Sequence, residues 1–179
     1  MKIAALFLFA VLCGCCNGSM ASAQNIWPEA PFSERWQVGV AGSLVNPDYS
    51  NTAIPGGMVY GSYNTMRYFG VEARVHYAYK SNGEREFSLA GGYRFMVPIK
   101  RFEPFAGGLI GYGRFTDSNT ADQGNGTNSF TISYLAGVDL HVTKHLNVRL
   151  FEVEAQVWTD FLPEGLNPTA YSAGVAYHR

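Results

Sequence analysis

The side chains of this chain best equipped for chemistry are ionised groups set two residues apart. Glu72, Arg74 and His76 form one such run and Glu152 with Glu154 another, while Arg94, Asp139 and His141 stand apart from them. A carboxylate pair is the equipment of glycoside hydrolysis, where an acid and a base or nucleophile flank the scissile bond. A spacing of two puts both groups on one face of one strand, and that reaction needs them across a cleft. The four histidines, His76, His141, His145 and His178, raise acid–base or metal chemistry. His141 and His178 fall near the same end of their segments and His76 towards the opposite end, so a site shared by all of them is not expected. Asp117 and Asp122 lie among Asn and Gly, with a spacing unlike that of an EF-hand loop. Ser81-Asn82-Gly83 offers a hydroxyl, but Asn-Gly is above all a hairpin signal. The charged pairs therefore read as members of a surface or lumen, and the elements that carry them decide which.

The stretch Tyr68–Lys80 sets the pattern. Phe69, Val71, Ala73, Val75, Tyr77 and Tyr79 alternate with Gly70, Glu72, Arg74, His76, Ala78 and Lys80. A period of two is a strand signal, and the run is longer than the five or six residues usual in soluble sheets. It suits a strand crossing hydrocarbon at a tilt, which needs about 9–11 residues. The alternation recurs in Trp36–Val45, Glu86–Val97, Ser129–Val142, Asn147–Thr159 and Tyr171–His178. Gly57–Asn64 and Phe102–Phe115 are further strands whose glycines obscure which face is which. Eight strands result. The connections 64–67, 98–101 and 143–146 are tight, those at 46–55 and 116–128 are long, and those at 80–84 and 161–168 are shorter but polar. Short turns at one end and longer loops at the other characterise up-and-down membrane barrels. The predicted fold class is therefore all-β, an eight-stranded antiparallel up-and-down transmembrane β-barrel over residues 36–179.

The N-terminus agrees with export. Lys2, the apolar run Ile3–Leu12 and Ala21-Ser22-Ala23 form a cleavable signal over residues 1–23, and the apolar run is shorter than the roughly 20 residues of a membrane-spanning helix. Leu12-Cys13-Gly14-Cys15 is a competing lipobox-like run that would acylate Cys15. Residues 24–35 read as a periplasmic lead-in. All 3 cysteines precede Ala23, so cleavage there leaves neither disulfides nor a thiol nucleophile. A net charge of −1 without a basic block argues against nucleic acid as a partner.

Alternation alone does not say which face lies inside, since a soluble carrier barrel buries the apolar face and a membrane barrel exposes it. The polar faces carry both signs among small residues. Lysine, usual on solvated strands, is scarce beyond residue 23. Trp36, Tyr77, Tyr79, Tyr93, Tyr134, Tyr171 and Tyr177 on the apolar faces match headgroup-level aromatic belts. The expected arrangement puts lipid outside and a lumen charge network of Glu72, Arg74, Arg94, Asp139, Glu152 and Glu154 inside. Eight strands leave room only for side chains, and buried carboxylates need partners. The network should fill the lumen without leaving an open pore.

With these features the chain resembles the small outer-membrane β-barrel proteins of Gram-negative bacteria, such as the OmpA transmembrane domain, OmpX and the opacity-type porin family. The likeness covers about residues 36–178 and rests on the signal segment, the strand pattern and the glycine-rich runs FEPFAGGLIGYGRF (102–115), YLAGVDLHV (134–142) and YSAGVAY (171–177). It implies residence in the outer membrane among lipids and lipopolysaccharide, insertion by the outer-membrane assembly machinery, and structural or surface-interaction roles. Family chains commonly finish on an aromatic residue, where this one reads Tyr177-His178-Arg179. The peptidoglycan-binding domain of full-length OmpA has no counterpart in this sequence. Compared with the lipid A 3-O-deacylase group, which carries His-x-Ser-Asn-Gly, the chain has Ser81-Asn82-Gly83 but Tyr79 at the histidine position.

The resulting expectation is a non-enzymatic barrel with no cofactor and no metal, acting structurally or through external loops. A narrow, low-conductance channel and an outer-membrane lipid hydrolase are the alternatives; a soluble lipocalin-like carrier is the reading set aside by the face assignment.

Overall fold

The computed structural model describes residues 36–48, 52–80, 83–116, 127–159 and 166–179. The readings made for the signal segment, the lead-in, Ser81, Asn82, Asp117 and Asp122 fall outside these residues. Eight strands follow one another: β1 (Trp36–Asn46), β2 (Ile54–Met66), β3 (Phe69–Tyr79), β4 (Arg85–Met96), β5 (Phe102–Thr116), β6 (Thr127–His141), β7 (Leu146–Trp158) and β8 (Thr169–His178). Each pairs antiparallel with the next, and β8 returns to β1, closing the barrel. Closure leaves no strand edge unpaired, which is what allows a sheet to stand in hydrocarbon.

Tight turns at 67–68, 97–101 and 142–145 gather at one end. The two barrel termini join there through Arg179 N–H to Trp36 C=O, at 3.1 Å. Lys100 takes a left-handed conformation (φ 58°) in the second of these turns. The loop end begins with the β3–β4 hairpin, where Gly83 has φ 96° and donates to the Lys80 carbonyl at 2.9 Å. That backbone is the one a glycine after asparagine favours.

Strand ends differ from the sequence reading by a few residues. β2 extends back to Ile54 because Leu44, Ser43 and Gly42 of β1 supply partners for Pro55, Gly56 and Gly57. Tyr68, read as the first residue of a strand, lies in the turn before β3 and is exposed.

The apolar faces point outwards. Val38, Val40, Val59, Val71, Val75, Leu89, Phe95, Ile110 and Phe130 are exposed, as are all seven aromatics assigned to the belts; Tyr134 stands mid-strand in β6. The interior combines polar side chains with small apolar clusters. Val45, Ile54, Ala78 and Ala170 pack together towards the loops. Phe105, Leu109, Leu135, Ala90 and Met96 line the opposite wall.

Two bulky rings close over inward glycines. A Cβ on Gly39 would meet the Tyr60 ring at 2.5 Å, and one on Gly113 would meet the Trp158 indole at 2.6 Å. Nothing lies within 4 Å of a Cβ on outward-facing Gly42. Gly39→Leu or Gly113→Leu is therefore expected to cost about 1–3 kcal/mol by overpacking. Gly42→Ala should leave stability nearly unchanged. Urea unfolding of the vesicle-inserted chain, followed by tryptophan fluorescence, measures the contrast, and equal midpoints for all three variants would contradict the packing described.

Candidate functional site: a charged lumen

Every residue of the sequence-derived network faces inward, and the strand that carries each follows from its alternation. Glu72 and Arg74 come from β3, Arg94 from β4, Asp139 from β6, and Glu152 and Glu154 from β7. They meet in the lumen, from Arg74 and Glu152 at the middle of their strands to Arg94 and Asp139 nearer the turn end. Arg74 is the hub on the loop side: its Nη1 donates to Glu152 Oε1 at 2.6 Å and to Glu154 Oε2 at 2.9 Å. Its Nη2 donates to Glu152 Oε2 at 3.1 Å and to Glu72 Oε1. β3 and β7 are not neighbours in the sheet, so this cluster spans the lumen.

Arg94 is the second hub. It donates through Nη2 to Asp139 Oδ2 at 2.9 Å and to Glu103 Oε1 at 2.8 Å. Its Nη1 reaches Glu72 Oε2 at 3.4 Å.

The third hub was not found from the sequence. Arg149 donates through Nε to Asp139 Oδ1 at 2.9 Å and through Nη1 to Glu152 Oε2 at 2.6 Å. It is fully buried. Strict alternation from Glu152 and Glu154 would turn Arg149 outwards with Phe151. A β-bulge prevents this: Arg149 pairs with Gly174 and Glu152 with Ser172, so Leu150 and Phe151 together oppose Ala173. Both are exposed, and the parity of the strand flips between them. The available signal was an arginine that alternation would aim at lipid, followed directly by two large apolar residues. Glu103, buried at the turn end, was also missed, because the glycines of β5 hide its alternation.

Aromatic rings complete the hubs. The Arg149 guanidinium lies 3.8 Å from the Tyr60 ring centroid and 4.6 Å from that of Phe105. The Arg94 guanidinium lies 4.2 Å from the Phe105 centroid. Desolvated contacts of this type favour a cation. Amides extend the network in both directions. Towards the turns, Gln37 donates to Asp139 at 3.4 Å and accepts from Asn147 at 3.1 Å. Towards the loops, Gln156 donates to Glu154 at 3.0 Å and accepts from the Trp158 indole N–H at 2.9 Å.

The arrangement suits mutual neutralisation. Glu152 and Glu154, considered above as a catalytic pair, share one Nη of Arg74 and face no cleft. His76 contacts Ser43 Oγ at 2.6 Å through Nε2. His141 and His178 sit at the turn end with ring centroids 5.9 Å apart, far along the barrel from His76. Among the described residues no group of three or more His, Cys, Asp or Glu is placed to hold a metal ion.

Comparison with known proteins accords with the barrel fold. A family model described as outer membrane protein beta-barrel domain matches residues 7–178. Among solved structures, Neisserial surface protein A superposes with a TM-score of 0.62 at 13% identity, covering 80% of this chain and 96% of that one. The N-terminal β-barrel domain of Pseudomonas aeruginosa OprF gives 0.57 at 12% identity, over 80% and 97%. The outer membrane enzyme PagL gives 0.51 at 13% identity, over 77% and 97%. No curated protein sequence is a significant match. At these identities the likeness concerns the fold, and a fold that also hosts an enzyme does not itself decide function.

The network makes a quantitative demand. Removing Arg149 takes one of two arginine partners from both Asp139 and Glu152 and leaves Arg74 and Arg94 as the cations of a carboxylate-rich, dry cluster, so Arg149→Met is expected to cost about 3–5 kcal/mol. Leu150→Ala, on the lipid side of the same bulge, should cost clearly less. Equilibrium urea unfolding from lipid vesicles checks both, and an Arg149→Met variant as stable as the parent would contradict the hub.

Proposed function

We propose, since the chain belongs to the outer membrane protein β-barrel domain family, that it is a non-enzymatic, non-conducting barrel of the Gram-negative outer membrane, acting structurally and through its external loops. Its lumen is a solid polar core. The observation that carries this reading is the trio of guanidiniums in the lumen, each held by carboxylates from two or more strands. Ion passage would require parting at least one such cluster, and a buried arginine parted from its partners costs several kcal/mol. On the loop side of the cluster the Trp158 indole of β7 packs inside the barrel against Gly113 of β5.

In this reading Glu72, Arg74, Arg94, Asp139, Glu152 and Glu154 form a structural network, with Arg149 and Glu103 as further members. Residues 1–23 act as the export signal and 24–35 as a periplasmic lead-in. The assembly machinery inserts the barrel with its tight turns in the periplasm, where the outward series Tyr171, Val175 and Tyr177 presents the last strand. The loops at 47–53, 80–84, 117–126 and 159–168 then face outside and meet lipopolysaccharide and extracellular partners. Against a hydrolase stands Tyr79, which occupies the position where a base would be needed two residues before Ser81.

Planar-bilayer recording of the purified, folded barrel tests the proposal. The parent protein is expected to show no discrete conductance steps above background. Reproducible steps from the parent would establish the narrow channel instead.

A further inference from the structure

The charged residues of the eight strands divide unevenly between the two faces of the sheet. Among the described residues, every Asp and Glu of the strands faces the lumen, as do Arg74, Arg94 and Arg149. Two charged side chains point the other way: Arg85, which opens β4, and Arg114, near the end of β5. Both are exposed, and neither joins an ion pair among the described residues.

Their placement is shared. β4 and β5 are adjacent, with Arg85 opposite Thr116 and Phe87 opposite Arg114. The two arginines are therefore diagonal neighbours on one face, about 7–8 Å apart along the backbone, and flexible guanidiniums can converge over that gap. Both stand at the loop end. The Arg85 guanidinium lies 5.7 Å from the Tyr79 ring centroid on β3. Below them, Phe87, Leu89, Tyr112 and Ile110 continue the outward face towards mid-membrane. A cation aimed at hydrocarbon would be expensive. At headgroup level, with an apolar and aromatic slope beneath it, it meets anionic groups instead.

We propose that Arg85 and Arg114 form a clamp for the phosphate of an acylated, phosphorylated glycolipid of the lipid A class, with its acyl chains lying along Phe87, Leu89 and Tyr112. Charge complementarity identifies the occupant: two guanidiniums, with no acid beside them on that face of the strands, match a doubly charged phosphate. The inference rests on the orientation given above, with the loops outside, because that leaflet carries such glycolipids.

The test reconstitutes the full folded chain in nanodiscs of phosphatidylcholine containing a few per cent of either lipid A or phosphatidylglycerol. After extraction into mild detergent, the lipid that remains bound is quantified by mass spectrometry. The parent is expected to retain lipid A in preference to phosphatidylglycerol, and Arg85→Gln/Arg114→Gln should reduce that retention by roughly tenfold. Arg85→Lys/Arg114→Lys should retain an intermediate amount, and Lys144→Gln at the turn end should match the parent. Equal lipid A retention by the parent and the double Gln variant would overturn the clamp. Equal retention of the two lipids by the parent would overturn the glycolipid assignment. Heat-modifiable gel mobility verifies that each variant is folded, and protease access to 117–126 in intact cells reads the orientation separately. A failed clamp and a failed barrel orientation thus give different results.

Discussion

The barrel depends on one constraint: an arginine withdrawn from water must find carboxylates from several directions at once. Three guanidiniums share the centre of this lumen, and their partners come from β3, β5, β6 and β7. The sheet closes in sequence order, and backbone pairing binds each strand only to its two neighbours. The side chains supply what the backbone lacks. Arg74 ties β3 to β7 across the lumen, and Arg94 ties β4 to β6 past the intervening β5. Replacing such a cluster with well-packed apolar residues can be neutral or even stabilising. What the charges add is register, because sliding one strand by a single residue would turn its ionised groups into lipid.

The charge arithmetic also explains the neutral polar groups. The carboxylates of Glu72, Glu103, Asp139, Glu152 and Glu154 outnumber the guanidiniums of Arg74, Arg94 and Arg149. Gln37 and Gln156 donate to Asp139 on the turn side and Glu154 on the loop side of the cluster. Each amide then passes its own oxygen to a further donor, Asn147 on one side and Trp158 on the other. The Phe105 ring fills the space beside Arg94 and Arg149 without adding a competing donor, and the Tyr60 ring lies against Arg149. A polar interior on this scale is sustainable only when nearly every member is satisfied.

Much of this was legible in the sequence, and the omissions have a common cause. Where one face was apolar and the other charged, as in 69–79 or 129–141, a period of two assigned each side chain correctly. Where glycine removed that contrast, the face could not be read. Tyr60, Glu103 and Phe105 were hidden in this way, although each packs within or against the network. Arg149 was hidden by a different device, a bulge that spends an extra residue and reverses parity midway along β7. Which acid meets which arginine was also illegible. Partners on non-adjacent strands depend on the stagger of the closed barrel, a property of the whole sheet and of no single segment.

Arginine appears in this molecule in two environments that local sequence scarcely separates. Arg94 follows Tyr93 and precedes Phe95; Arg114 follows Gly113 and precedes Phe115. One lies in a dry lumen among carboxylates and the other stands on the lipid side near the loops. Height along the strand makes the difference tolerable: an outward charge at the loop-facing rim reaches headgroups, whereas the same charge at mid-strand would face acyl chains. Each inward arginine is ringed by acids, and amides meet part of the carboxylate excess. The outward arginines have no acid beside them on the strands and so leave a positive potential on one sector of the rim. Interaction with other molecules is therefore concentrated on the outside of the barrel, while its interior is committed to holding the cylinder in register.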